Sequence, residues 1–348
     1  MKAKITVVFF ILIGQLFGQV QDTTKLKIGT EYSIQSKVLN EDRIYYVSLP
    51  QSYYESATKY PVLILSDGDY RFQYTTGIVE FLSKQNKIPE TIVVGIANTN
   101  RTRDLTPTHI EFNNMGGGGA PNFLKFIETE LLPEVDKNFR TNTYRVLTGH
   151  SLGGLFSGYA YVSNSSFSGF VASDPSFWWD HQYVVNQIKK ENIASLKNKR
   201  IYISNADNLK RNEGMVTFMR NPQELFYSRL KRFGVPNSNI KLEYFKDENH
   251  GTSAYMSWYH GIQFVFKGFL LENIYNKTTE EIKEHYNNLS KRVGVQFLPP
   301  DKLIRDIAGY KSQYGNDKKE AVKLLQMNST NYPTAINKKV LKDALNNN

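Results

Sequence analysis

Residues 60–66 (YPVLILS) and 91–97 (TIVVGIA) are short, almost unbroken apolar runs. Runs of this kind predict strands buried on both faces of a parallel sheet. Similar runs follow at 144–148, 169–173, 200–204 and 242–245. The stretch 43–49 (RIYYVSL) is rich in aromatic and β-branched residues and is followed by Pro50, which predicts an antiparallel edge strand. Between the strands, spacing predicts helices over 73–85, 121–138, 152–163, 181–192, 221–234 and 254–272. In the second of these, Phe123, Ile127, Leu131 and Val135 recur every four residues, an amphipathic period. Strand–helix alternation of this kind predicts an α/β domain with helices on both faces of a mostly parallel sheet.

The two ends of the chain break that pattern. Lys2 and Lys4 precede an apolar run from Ile5 to Gly14 that continues through Leu16 and Phe17 to the small residue Gly18. Gly14 and Gln15 interrupt the run well short of the ~20 residues a membrane span requires. A signal peptide over 1–18 is expected, and with it an exported protein, periplasmic or secreted, with no stable membrane span after cleavage. The main domain then occupies 19–275. Residues 276–348 carry no strand-like run but show helical spacing over 301–312, 317–327 and 335–345, resembling part of a helical-hairpin repeat. One such copy cannot stack into a solenoid. Ile304, Ile307, Leu324 and Leu325 therefore give the extension an apolar face that is expected to pack on the main domain.

Composition narrows the function. With 40% hydrophobic residues, 22 Tyr and 21 Phe in 348 residues, there is ample material for a core. The net charge of +10 is spread over single Lys and Arg residues with no long run. A solvated basic surface is expected, with no dedicated nucleic-acid stripe and a mild preference for anionic ligands. The absence of cysteine excludes disulfides, zinc–thiolate sites and iron–sulfur clusters. No motif calls for a cofactor or a metal; Met115 and the four glycines after it lack the Lys-Ser/Thr of a phosphate loop and read as a connector.

The chemistry is concentrated at Gly149-His150-Ser151-Leu152-Gly153, a G-x-S-x-G between a predicted strand and a predicted helix. That context is the one a nucleophile elbow requires, with Ser151 on a sharp turn and the N–H of Leu152 aimed at a developing oxyanion. A serine hydroxyl needs a base. Of six histidines, His250 stands in a polar loop after the last strand and before the last helix, where the base of such a fold belongs. His109 precedes the serine, His150 adjoins it, His181 is followed by no acid and strand, His260 is mid-helix and His285 belongs to the extension. The acid is expected after the strand 200–204, as Asp207, with Glu213 in the same loop and Glu248 near the histidine as alternatives.

Several stretches in order carry a resemblance: 60–69, 94–107, 145–156 and Asp174-Pro-Ser-Phe-Trp-Trp-Asp180. Over roughly residues 28–272 the chain resembles the putative-esterase (esterase D-like) branch of the α/β-hydrolase superfamily. Within it, the likeness is to siderophore esterases that cleave enterobactin-type and bacillibactin-type trilactones. The same branch is similar to feruloyl, acetylxylan and S-formylglutathione esterases. The resemblance implies an α/β-hydrolase fold and a small-molecule ester substrate. It also implies that a backbone N–H of Gly68 or Asp69, in Asp67-Gly68-Asp69, completes the oxyanion hole; the alternative is a tight turn. It places Arg101, Arg103 and Asp104 at the mouth, either as a grip for an anionic substrate or as a structural Arg–Asp pair. It gives Trp178 and Trp179 either a pocket wall or a place in the core. Some siderophore esterases work with a Ser–His pair alone. An exported serine esterase and a non-catalytic binding protein on the same fold are the two function classes this leaves.

Overall fold

The structure is a computed structural model and describes residues 28–111, 116–207, 213–315 and 317–346. The expected signal peptide lies outside the described residues, as do Met115 and the residues just after Asp207. Ten strands are present among the described residues: β1 (Thr30–Ser36), β2 (Glu41–Ser48), β3 (Tyr60–Leu65), β4 (Ile92–Ile96), β5 (His109–Ile110), β6 (Gly116–Gly117), β7 (Thr141–His150), β8 (Gly169–Ser173), β9 (Arg200–Ala206) and β10 (Ile240–Phe245). Eight of them form one sheet in the order β1-β2-β4-β3-β7-β8-β9-β10. In this sheet β1 and β2 are antiparallel to their neighbours and every later pairing is parallel, while β5 and β6 form a separate antiparallel pair. This is the α/β-hydrolase fold.

The apolar runs explain the sheet. Every residue of β3, β4 and β8 is buried, because helices cover both faces. Alternate side chains divide between two cores: Val62 and Ile64 pack with Leu147, Leu155 and Phe156, while Leu63 and Leu65 pack with Val146, Trp258 and Ile262. β1 was not expected from sequence; in TEYSIQS polar and apolar residues alternate, as suits a half-exposed edge. The helix Gly68–Lys84 starts directly after β3, five residues ahead of the expected 73.

Among the described residues the extension contains four helices, Thr279–Val293, Asp301–Gln313, Lys318–Asn331 and Ala335–Asn346. Ile304, Ile307, Leu324 and Leu325 are buried and belong to the second of the two cores. Phe297 meets the ring of Tyr144 edge-on at 5.5 Å, near the start of β7. The Glu320 carboxylate accepts from the backbone N–H of Thr279 at 2.5 Å, so one extension helix caps another. The extension thus packs toward the N-terminal ends of the parallel strands, away from their C-terminal ends. No helix among the described residues is long and apolar enough to cross a membrane.

Candidate active site

β7 ends at His150 and the helix Leu152–Val162 begins two residues later, so a single residue must make the turn. Ser151 does so at φ 61°, ψ −116°, a conformation that a side-chain-bearing residue rarely adopts. The crossing is tight: a Cβ on Gly149 would lie 2.2 Å from Gly153 O, and one on Gly153 would lie 2.4 Å from Ser66 Oγ. Two backbone hydrogen bonds hold the strained residue. Ser151 N–H donates to Ser173 O at 3.0 Å, and Ser176 N–H donates to Ser151 O at 3.1 Å. Ser176 Oγ lies 3.4 Å from Ser151 Oγ. Leu152, as the first helical residue, has an N–H with no intrahelical acceptor, available to an oxyanion.

His250 Nδ1 lies 2.6 Å from Asp174 Oδ2. The expected Asp207 is therefore corrected: the acid on the histidine follows β8, not β9. Asp207 sits one residue past β9 with its backbone N–H on Phe245 O, and the Glu213 side chain lies outside the described residues. Glu248 likewise gives its backbone N–H to Phe245 O. Asp174 is wholly buried at φ 37° and accepts from Gln223 Nε2 at 2.9 Å and Ala206 N–H at 3.3 Å. Burial pushes its carboxyl up, but the bonds from His250, Gln223 and Ala206 outweigh that and hold it below the usual carboxylate range. An ionised Asp174 keeps the proton of His250 on Nδ1, which leaves the lone pair on Nε2.

His150, the residue before Ser151, braces the loop that carries His250. An arginine can only donate, so His150 Nδ1, 2.8 Å from Arg71 Nη2, is an acceptor and Nε2 carries the proton. That Nε2–H donates to the backbone carbonyl of His250, with the two rings 4.4 Å apart. Burial, reinforced by the Arg71 guanidinium and by His250, lowers the His150 pKa to about 3, so the ring is neutral. Ser253 Oγ donates to the same carbonyl at 3.1 Å. Neither Asp174 nor the role of His150 was singled out from sequence, although Asp174 opens one of the stretches that carry the family resemblance.

Asp67 (φ 59°) precedes the helix Gly68–Lys84, whose first N–H groups, on Gly68 and Asp69, point out of its end. A Cβ at Gly68 would meet Gly95 at 2.5 Å, which keeps that position bare. Asn98 Nδ2 bridges Asp67 and Asp69 at 3.0 Å each. The two arginines expected to grip substrate are committed elsewhere. Arg101 forks onto Asp67 at 2.6 and 2.9 Å and also donates to His150 O. Arg103 binds Asp104 and both oxygens of Glu41, beside the buried Arg43–Asp104 pair. Of the two readings weighed for them, the structural ion pair describes the geometry. Trp179 is fully buried with Nε1–H on Thr108 O, whereas Trp178 is half-buried with its ring 4.7 Å from that of Phe218.

Comparison with known proteins places this geometry. The family model described as "Putative esterase" matches residues 36–233, more than half of the chain. The chain belongs to this esterase family. The esterase is 26% identical over 249 residues to the uncharacterized protein YbbA of Bacillus subtilis, spanning 68% of this chain and 94% of that one. It is 29% identical over 198 residues to the ferri-bacillibactin esterase BesA of the same organism, spanning 49% of this chain and 66% of that one. Among solved structures, an IroE-like serine hydrolase from Shewanella oneidensis superposes with a TM-score of 0.76 at 29% identity, over 87% of this chain and 99% of the other. A hydrolase acting on esters is what these relationships establish.

Proposed function

We propose that the esterase is an exported serine hydrolase that cleaves a carboxylic ester through an acyl-enzyme on Ser151, with His250 as base and Asp174 as the acid. The observation that carries this reading is the 2.6 Å Asp174–His250 contact, in a loop whose His250 carbonyl is bonded by His150, the residue before the strained Ser151. In acylation, Ser151 Oγ attacks the ester carbonyl carbon as its proton passes to His250 Nε2. The N–H groups of Leu152 and of Gly68 or Asp69 receive the oxyanion. Collapse of that intermediate breaks the bond to the alcohol oxygen, which takes the proton from His250. Water, deprotonated by the same nitrogen, then releases the acid and restores Ser151.

A siderophore ester is the proposed substrate class, supported by relatives named ferri-bacillibactin esterase and siderophore triacetylfusarinine C esterase. With Arg101 and Arg103 already paired, the half-buried Trp178 is the proposed side-chain contact for such a substrate. Export rests on Lys2 and Lys4 ahead of the apolar run 5–14. A fluorophosphonate probe should label the purified protein at Ser151, and a panel of siderophore and aryl esters should show turnover by the same preparation. No labelling and no turnover would overturn the reading.

A further inference from the structure

An open cleft of about 510 Å³ lies between the first turns of the helix Gly68–Lys84 and the segment that follows His250. Tyr70 and Tyr74 line one side, and Tyr255 and Met256 the other. The rings of Tyr74 and Tyr255 are 6.0 Å apart. Tyr70 and Tyr255 are 76% and 55% exposed, large aromatic surfaces facing water with no apolar cover. The volume falls in the ~300–1,000 Å³ range of small-molecule sites.

The cleft is built into the catalytic frame. Tyr70 directly follows Asp69 of the oxyanion loop, and Gly251 and Thr252, which close the cleft, directly follow His250. Arg71, also in its lining, gives Nη1 to Tyr74 OH at 2.7 Å and Nη2 to His150. Its guanidinium carbon stands 5.2 Å from the Tyr70 ring centroid. The guanidinium nitrogens are thus engaged, and with Arg71 and Glu248 both in the lining the cleft carries one charge of each sign. Such a lining gives an anion no net attraction and suits an uncharged ring, and the Glu248 carboxylate can accept a hydrogen bond from a phenol.

Direction follows from the chemistry. The imidazolium of His250 must protonate the departing alcohol, so the alcohol portion of an ester lies on the His250 side of Ser151. We propose that this cleft is the leaving-group subsite and takes an uncharged aromatic ring, phenol included, carried on the alcohol side of the ester. The inference rests on the serine-esterase reading above.

Three simple esters test it: ethyl acetate, phenylethyl acetate with the ring on the alcohol side, and ethyl phenylacetate with the ring on the acyl side. In Tyr70→Ala/Tyr255→Ala, the kcat/KM preference for phenylethyl acetate over ethyl acetate should fall about tenfold, the loss expected for two aromatic contacts. The preference for ethyl phenylacetate over ethyl acetate should hold. Both tyrosines are largely exposed, so their truncation spares the core. An unchanged alcohol-side preference, or equal loss in both series, overturns the proposal. Titration of phenylethanol into the Ser151→Ala protein, followed by NMR, separates this from failure of the catalytic reading. Saturable binding lost in the Tyr70→Ala/Tyr255→Ala background sustains the cleft even if no ester turns over, and absence of binding overturns it whatever the rates.

Discussion

Asp174 and His250 are 76 residues apart in the chain, and their side chains meet at 2.6 Å across the C-terminal ends of three strands. The contact supports Asp174 as the third member of the proposed triad, and Asp174→Asn separates it from the alternative. An amide cannot hold the Nδ1–H tautomer in the same way, and a loss on the order of 10³-fold or more in kcat is expected. Asp207→Asn should change kcat by no more than a few-fold. The reverse ranking would return the acid to the loop after β9.

Ser151→Ala removes a hydroxyl that contributes no core packing. Hydrolysis should drop on the order of 10³-fold or more with the circular dichroism spectrum retained. Residual turnover near the wild-type rate in the purified variant would place the nucleophile elsewhere.

Acid should weaken the fold in a defined window. The His150 pKa falls from its ordinary value to about 3 through burial and the nearby guanidinium. Between about pH 6.5 and about pH 3 the unfolded chain binds a proton at this residue that the native state refuses. Stability therefore falls as pH falls, by up to ~1.4 kcal/mol per pH unit from this group. The lowered Asp174 acts in the same direction: its contribution is present above the ordinary carboxylate pKa and is lost below it. Urea midpoints measured from about pH 7 to about pH 4 should decline, and more shallowly in His150→Gln, which starts less stable at neutral pH. Parallel declines in the two proteins would remove His150 from this account.

Arg101→Leu distinguishes a brace from a substrate grip. The Arg101–Asp67 fork steadies the turn that presents the N–H groups of Gly68 and Asp69. Its loss should lower kcat about tenfold with little change in KM, because the oxyanion is stabilised only in the transition state. A rise in KM confined to anionic esters, with kcat intact, would instead show that Arg101 binds substrate.

The parts of this molecule that were legible in sequence are those whose signal is local. β3, β4 and β8 are almost wholly apolar because both faces are covered, and a G-x-S-x-G between strand and helix marks its own turn. β1 and the helix Thr279–Val293 are less legible for different reasons. β1 alternates too weakly to stand out, while the helix lies among many Lys, Asn and Glu residues and is marked by a capping box, Thr278 with Glu281. The acid was not decidable along the chain. Asp174 and Asp207 both sit at C-terminal strand ends, and which one meets His250 depends on how the loop after β10 folds back over β9 and β8. The arginines fail for the same reason: their partners Asp67 and Glu41 lie 34 and 62 residues away, and spacing cannot distinguish a paired guanidinium from one awaiting substrate.

The C-terminal extension should matter for stability and not for chemistry. Tyr144, which meets Phe297, is six residues from the end of β7, roughly 20 Å of extended strand from the turn that carries Ser151. Yet Ile304, Ile307 and Leu324 are fully buried in the core that covers one face of the sheet. Truncation after about residue 297 would strip that cover while leaving the elbow, the Asp174–His250 pair and the oxyanion loop in place. Turnover of a small soluble ester should stay within a few-fold of wild type at low temperature, with a lower Tm and poorer solubility from the exposed apolar face. Loss of kcat in a truncated protein that keeps its circular dichroism spectrum and its cooperative melt would mean that the extension reaches the active site.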